Sequence, residues 1–183
     1  MCPEPDETII HYAERMRADI TEEDPILMGL SFGGMICTEI AKQIPVSKII
    51  IISSIKSSKE LPWWMKAAAT LKLNKIVPLK STRLTQPIQN KMLGIQSEEE
   101  MALVASLRRA VDLPYTNWAV NEAINWKNNW QHPNIYHIHG DNDHMFPIKN
   151  IKADYTIKNG GHFMIMNRAN EVSACINAAL GTE

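Results

Sequence analysis

The spacing of apolar positions changes several times along the chain, and each change marks an element. Between Thr8 and Ile20, residues Ile9, Tyr12, Ala13, Met16 and Ile20 fall on one face of a helical wheel, with Glu14, Arg15 and Arg17 opposite, so the spacing predicts an amphipathic helix. After Pro25 the run Ile26-Leu27-Met28-Gly29-Leu30 is too short for a helix and lacks alternation, which predicts a strand buried on both faces. A glycine-rich turn leads into a helix over Met35 to Gln43, stopped before Pro45, and Lys48 to Ile52 is a second buried strand. Strand, helix and strand within about 28 residues predict a parallel βαβ unit.

From Lys56 to about Gln131 the period stays helical. Ser97 and Glu100 have capping-box spacing, Leu103, Leu107 and Val111 follow at helical intervals, and another helix runs from Pro114 towards Trp126. All five tryptophans (Trp63, Trp64, Trp118, Trp126 and Trp130) lie in this block, either filling a core between helices or lining a substrate pocket. Strand character returns at Asn134–Ile138 and Ala153–Ile157, and a final helix spans about Phe163 to Leu180. The pattern predicts one α/β domain over residues 1–183: a short, mainly parallel sheet of about four strands, flanked by helices, with a helical insertion at about 56–130.

Composition narrows the function classes. Apolar residues make up 45% and charged residues 21%, which excludes a mainly disordered or coiled-coil chain. With 19 basic and 20 acidic side chains the net charge is −1, so no strong field draws in nucleic acid or an anionic membrane. The basic run Lys72, Lys75, Lys80, Arg83 reads as a solvated face. Apolar runs reach about six residues, far short of the ~20 that a membrane span needs. Three scattered cysteines (Cys2, Cys37 and Cys175) and an acidic first segment without an apolar stretch lead us to expect a cytoplasmic protein.

The candidate chemistry begins at Gly29-Leu30-Ser31-Phe32-Gly33, a G-x-S-x-G sequence between a strand and a helix. A serine on such a sharp turn is lifted above the sheet edge, and the positions two before and two after it are expected to be small because side chains there would collide. The Phe32 N–H, at a helix N-terminus, can face a developing oxyanion. The competing reading makes Ser31 an ordinary N-cap. A hydroxyl nucleophile needs a base, most often a histidine oriented by a carboxylate. His139-Gly140-Asp141-Asn142-Asp143 follows the third strand and offers the carboxylate; Asn159-Gly160-Gly161-His162 follows the fourth and offers the base.

With these motifs in this order, the sequence resembles the α/β-hydrolase superfamily over roughly Pro25–Ser53 and from Asn134 onward. The family pattern sets the acid three residues after a glycine that closes the strand, which implies Asp143, with Asp141 as fallback, and its Gly-His pair implies His162. The resemblance implies a serine hydrolase (esterase-like) with Ser31, Asp143 and His162 as catalytic residues and Phe32 in the oxyanion hole. It further implies a helical cap for the middle block, a small-molecule ester, thioester or amide substrate, and no metal or organic cofactor.

Only 30 residues precede Ser31, whereas the family has several strands before its nucleophile, including one whose loop supplies a second oxyanion N–H. Four readings follow: a fragment, a late start, a catalytically weak or inactive hydrolase-like binding protein, or a homodimer formed through the exposed sheet edge. A zinc metallohydrolase is the remaining alternative. His137-Ile138-His139-Gly140-Asp141-Asn142 nearly matches H-x-H-x-D-H, but Asn142 stands where a histidine is needed and His144 lies two residues late. Cys37 is expected to pack as a small apolar residue, His11 to lie on the surface and His132 to flank a turn.

Overall fold

The computed structural model describes residues 1–72, 82, 85–95, 97–110 and 112–182. Val111, Lys75, Lys80 and Arg83 lie outside the described residues. Helix α1 (Ile9–Arg17) starts where Thr8 accepts a hydrogen bond from the His11 amide, and Arg15 and Arg17 sit in its last turn, favourable to the helix dipole. Strand β1 (Ile26–Leu30), helix α2 (Phe32–Ala41) and strand β2 (Lys48–Ile52) form the expected parallel unit. Next come α3 (Trp63–Thr70), α4 (Gln86–Leu93), α5 (Glu98–Ala110) and α6 (Leu113–Asn125). The chain then returns through β3 (Ile135–Gly140) and β4 (Tyr155–Ile157) to α7 (Met164–Asn167) and α8 (Ala169–Leu180). The capping box forms: Ser97 Oγ accepts from the Glu100 amide at 3.1 Å and Glu100 accepts from the Ser97 amide at 3.3 Å.

All four strands run parallel in the order β1-β2-β3-β4. Strand β2 is central because it is apolar on both faces. Ile49 and Ile51 pack with Cys37 and Ala41 of α2, whereas Ile50 and Ile52 pack with Ile138, Ile157 and Val172 on the α8 side. Burying a side chain of this size is worth about 1.5–3 kcal/mol each, so these four isoleucines anchor the two layers to one sheet. Cys37 is buried among them, as its small apolar role requires.

Two expectations need correction. Strand β1 is not buried on both faces: Ile26, Met28 and Leu30 are 46%, 47% and 37% exposed, while Gly29 is buried. Burial is a property of neighbours, and β1 forms the edge of the described sheet, with α2 covering only its Leu27–Gly29 face. The final helix is also not continuous. Arg168, at φ −129° and ψ 34°, leaves helical geometry and separates α7 from α8.

The tryptophans divide by environment. In α6, Trp118 donates from Nε1 to the Glu7 carbonyl at 2.6 Å and packs at a tilt against Tyr12 of α1, and Trp126, at the C-cap of α6, donates to Glu39 of α2 at 2.7 Å. These bonds, with Ile9 N–H donating to Glu122 at 2.9 Å, fasten α6 onto α1 and α2. By contrast, Trp63 is 76% exposed. Among the described residues no helix is long and apolar enough to cross a membrane.

Candidate active site

Ser31 occupies the single residue between the end of β1 and the start of α2, at φ 52° and ψ −119°. A positive φ strains a residue with a side chain and persists only where the surroundings enforce it. Here the Ser31 amide donates to the Ile52 carbonyl at 2.8 Å, and the Ser31 carbonyl accepts from Ser54 Oγ at 2.6 Å and the Gly34 amide at 3.0 Å. A Cβ on Gly29 would lie 2.3 Å from the Gly33 carbonyl oxygen, and one on Gly34 would lie 2.5 Å from Ser54 Oγ. One on Gly33 would meet nothing within 4 Å. The expectation of a small residue at both outer positions of the motif therefore holds for Gly29 and not for Gly33; the second crowded position is Gly34. Helix α2 begins at Phe32, three residues earlier than its apolar spacing indicates, because the two glycines hide the first turn.

Ser31 stands at the N-cap position of α2, but its side chain makes no capping bond. Its Oγ instead lies 2.9 Å from His162 Nε2, and His162 Nδ1 lies 2.8 Å from Asp143 Oδ2. Because a carboxylate oxygen accepts, Nδ1 carries the hydrogen, and Nε2 is free to accept the Ser31 proton. The other Asp143 oxygen accepts from the Met145 and Phe146 amides at 2.7 and 2.9 Å, so the carboxylate is buried but fully partnered. Asp141 does different work: it is exposed and accepts from the Asn159 amide at 2.6 Å, tying the loop after β3 to the loop after β4. Those loops also touch through glycine, since a Cβ on Gly140 would fall 2.0 Å from the Gly160 carbonyl oxygen. Phe32 is the first helical residue of α2, so its N–H has no acceptor within the helix and is available beside the hydroxyl.

His137 and His139 stand behind this line, with neither ring exposed. Their rings are 3.1 Å apart between His137 Nε2 and His139 Nδ1, and His139 Nε2 is 2.8 Å from the Phe146 carbonyl. Burial pushes His137 down to about 2 and lowers His139 as well, so both rings are neutral. The donor set does not fit zinc, because three of the four ring nitrogens face each other or a carbonyl rather than a common point. Among the described residues, the side chains that do converge in the manner of metal ligands are Glu4, Glu7 and His11, far along the chain from this pair. His11 is exposed, as expected, and His132 Nδ1 accepts from the Asn134 amide at 3.1 Å just before β3.

By sequence, no family model and no curated protein matches the chain. By structure, it is similar to a bromoperoxidase from Bacillus anthracis (TM-score 0.62, 15% identity, covering 97% of this chain and 76% of that one). It is also similar to an esterase from Thermogutta terrifontis (TM-score 0.64, 14% identity, covering 98% and 74%). A third, from Desulfitobacterium hafniense, is described as belonging to the alpha/beta hydrolase family (TM-score 0.62, 16% identity, covering 97% and 80%). The fold is that of the α/β hydrolases. In the α/β-hydrolase fold the strand–serine–helix turn and the two following loops open at the C-terminal edge of the sheet, which is where Ser31, Asp143 and His162 stand.

Proposed function

We propose that the protein is a serine hydrolase that cleaves an ester, thioester or amide of a small substrate through an acyl-enzyme. The observation that carries this reading is the continuous line Ser31 Oγ, His162, Asp143, with contacts of 2.9 and 2.8 Å. Ser31 attacks the carbonyl carbon as its proton passes to His162 Nε2. Asp143 keeps the hydrogen on Nδ1 and stabilises the imidazolium that forms. The Phe32 N–H supports the oxyanion, and His162 returns the proton to the leaving group. Water, deprotonated by the same nitrogen, then releases the acid and restores Ser31. Helices α3 to α6, in the insertion expected at about 56–130, serve as the cap that shapes the substrate site.

A weaker, binding-type role is the second reading. It is favoured by the edge position of β1 in the described sheet, where Ile26, Met28 and Leu30 leave an apolar surface open to a partner. A fluorophosphonate probe with mass spectrometry separates the readings. The hydrolase reading expects labelling at Ser31, abolished by Ser31→Ala and greatly slowed by His162→Ala, together with turnover of p-nitrophenyl acetate. Well-folded protein that takes no label at Ser31 overturns it in favour of binding.

A further inference from the structure

The buried imidazoles at 137 and 139 have no part in the proton transfers just described, yet their hydrogen positions are dictated. The Phe146 carbonyl can only accept, so His139 Nε2 must carry a hydrogen. In a neutral ring Nδ1 is then bare, so the contact at 3.1 Å requires His137 to donate from Nε2. That leaves His137 Nδ1 bare, and it is the ring atom buried without a partner. An unpartnered acceptor is the expected end of a chain of donors that starts there and runs towards the acid loop. The same His139 N–H lies 3.5 Å from Asp143 Oδ2, the oxygen that holds His162.

We propose that the pair is a tautomer-locked brace for the acid loop. His139 is a positioning residue: it holds the Phe146 carbonyl so that the Met145 and Phe146 amides stay aimed at one Asp143 oxygen and the other stays aimed at His162. The Phe146 carbonyl sets the His139 tautomer, and the bare His139 Nδ1 in turn fixes His137 as the Nε2–H donor. The charged and titratable groups facing the pair are Lys56 from the segment after β2, Asp143 from the loop after β3 and His162 from the loop after β4. Lys56 acts against protonation of His137, and burial outweighs the Ser54 backbone, which favours it. For His139, burial outweighs Asp143 and the Phe146 carbonyl.

The catalytic half of this inference rests on the hydrolase reading, and the structural half does not, so the test reads both. In wild-type protein, ¹⁵N NMR of the histidine rings is expected to show His137 and His139 as neutral Nε2–H tautomers from pH 8 to pH 5. An Nδ1–H ring at either position, or a ring that titrates in that range, overturns the lock. His139→Leu is expected to lower kcat for p-nitrophenyl acetate by about 10–100-fold with KM little changed, the scale of a misplacement near 1 Å. His139→Gln keeps an N–H near the Nε2 position and restores most of that loss. Equal kcat in His139→Leu and wild type, or no rescue by Gln, overturns the positioning role. Where His139→Leu does not fold, His139→Asn, which cannot place an N–H at the Nε2 position, serves instead, with the same lowering of kcat by about 10–100-fold expected; kcat equal to wild type overturns the positioning role. A wild-type protein without turnover or label defeats the hydrolase reading, while the ring tautomers and a shift of the His162 Nδ1 proton in His139→Leu (or His139→Asn) that His139→Gln reverses still decide the brace.

Discussion

Replacing the three glycines around Ser31 by alanine, one at a time, separates a sequence motif from the geometry beneath it. At Gly29 the new methyl would sit 2.3 Å from the Gly33 oxygen, 2.4 Å from its carbonyl carbon and 2.5 Å from the Gly34 nitrogen. That is more than about 1 Å inside ordinary van der Waals separation. All three atoms are backbone, so relief requires the strand end and helix start to move apart, and Ser31 lies between them. Overpacking of this kind costs about 1–3 kcal/mol, and at about 2–4 °C per kcal/mol for a domain of this size the melting temperature falls by roughly 2–12 °C. Shifting the hydroxyl by about 1 Å costs a further ~10²-fold in turnover. At Gly33 the methyl meets nothing within 4 Å, φ is not positive, and the residue is helical. Alanine there gains up to about 1 kcal/mol of helix propensity, so the melting temperature holds or rises by no more than about 4 °C and activity is retained. Gly34→Ala falls between them, because it displaces Ser54 from the Ser31 carbonyl. Circular dichroism melts and p-nitrophenyl acetate turnover read the series. The reasoning is refuted if Gly33→Ala proves as damaging as Gly29→Ala, or if Gly29→Ala leaves both readouts unchanged.

Three further outcomes follow from other parts of the molecule. The Arg15 guanidinium, bonded at 2.7 Å, holds the buried Glu7 carboxyl below its ordinary range, so its stabilisation is present above the unfolded carboxylate value and is lost as pH falls through the lower folded value. Glu7→Gln should therefore lower the melting temperature at pH 7 by a few degrees, roughly 1–2 kcal/mol, and much less at pH 3. A thiol reagent should modify exposed Cys2 first and reach Cys37 only on unfolding, since burial pushes the Cys37 thiol up to about 12; fast labelling of Cys37 in native protein would contradict its packing. The exposed apolar side of β1 invites strand pairing with a second copy of the chain, so Met28→Lys should raise the concentration at which light scattering detects dimers, and unchanged association would remove β1 from that role.

What was readable in the sequence was local. The strand–serine–helix turn is encoded within Gly29 to Gly34, β2, β3 and β4 by short runs rich in β-branched or aromatic residues, and β1 by a short apolar run between Pro25 and that turn, so all emerge without knowledge of neighbours. What was not readable depends on the third dimension. Asp141 and Asp143 are equivalent turn formers until the loops after β3 and β4 are in contact; only then does one meet His162 while the other meets the Asn159 amide. Leu30 and Ile52 are alike in sequence, yet they differ in burial (37% against 1% exposed) because one strand is an edge and the other is central. His137 and His139, two apart on a strand, share a face in either a zinc site or a core. The signal that separates these readings is Phe146, whose carbonyl engages His139 and whose amide engages Asp143, and no spacing rule points to it.

The register of the parallel sheet explains how residues as distant in sequence as 31, 143 and 162 come to meet. Leu30 pairs with Ile52, Ile52 with Ile138, and Gly140 with Ile157, so the strands release their chains at one edge within about a residue or two of each other. Each loop leaving that edge is then held by at least one backbone–backbone bond. The Ile52 carbonyl holds the Ser31 amide, the Gly160 carbonyl holds the Asn142 amide, and the Leu93 carbonyl at the end of α4 holds the Phe163 amide beside His162. Backbone bonds have few rotatable atoms between the sheet and the three side chains, which helps a site assembled from three loops keep contacts of 2.8 and 2.9 Å alongside the side-chain ties from Ser54, Asp141 and His139. The α4 contact ties the helical block to the segment that carries His162, whereas Ser31 is held by β2, so the two ends of the 2.9 Å contact are anchored to different parts of the fold.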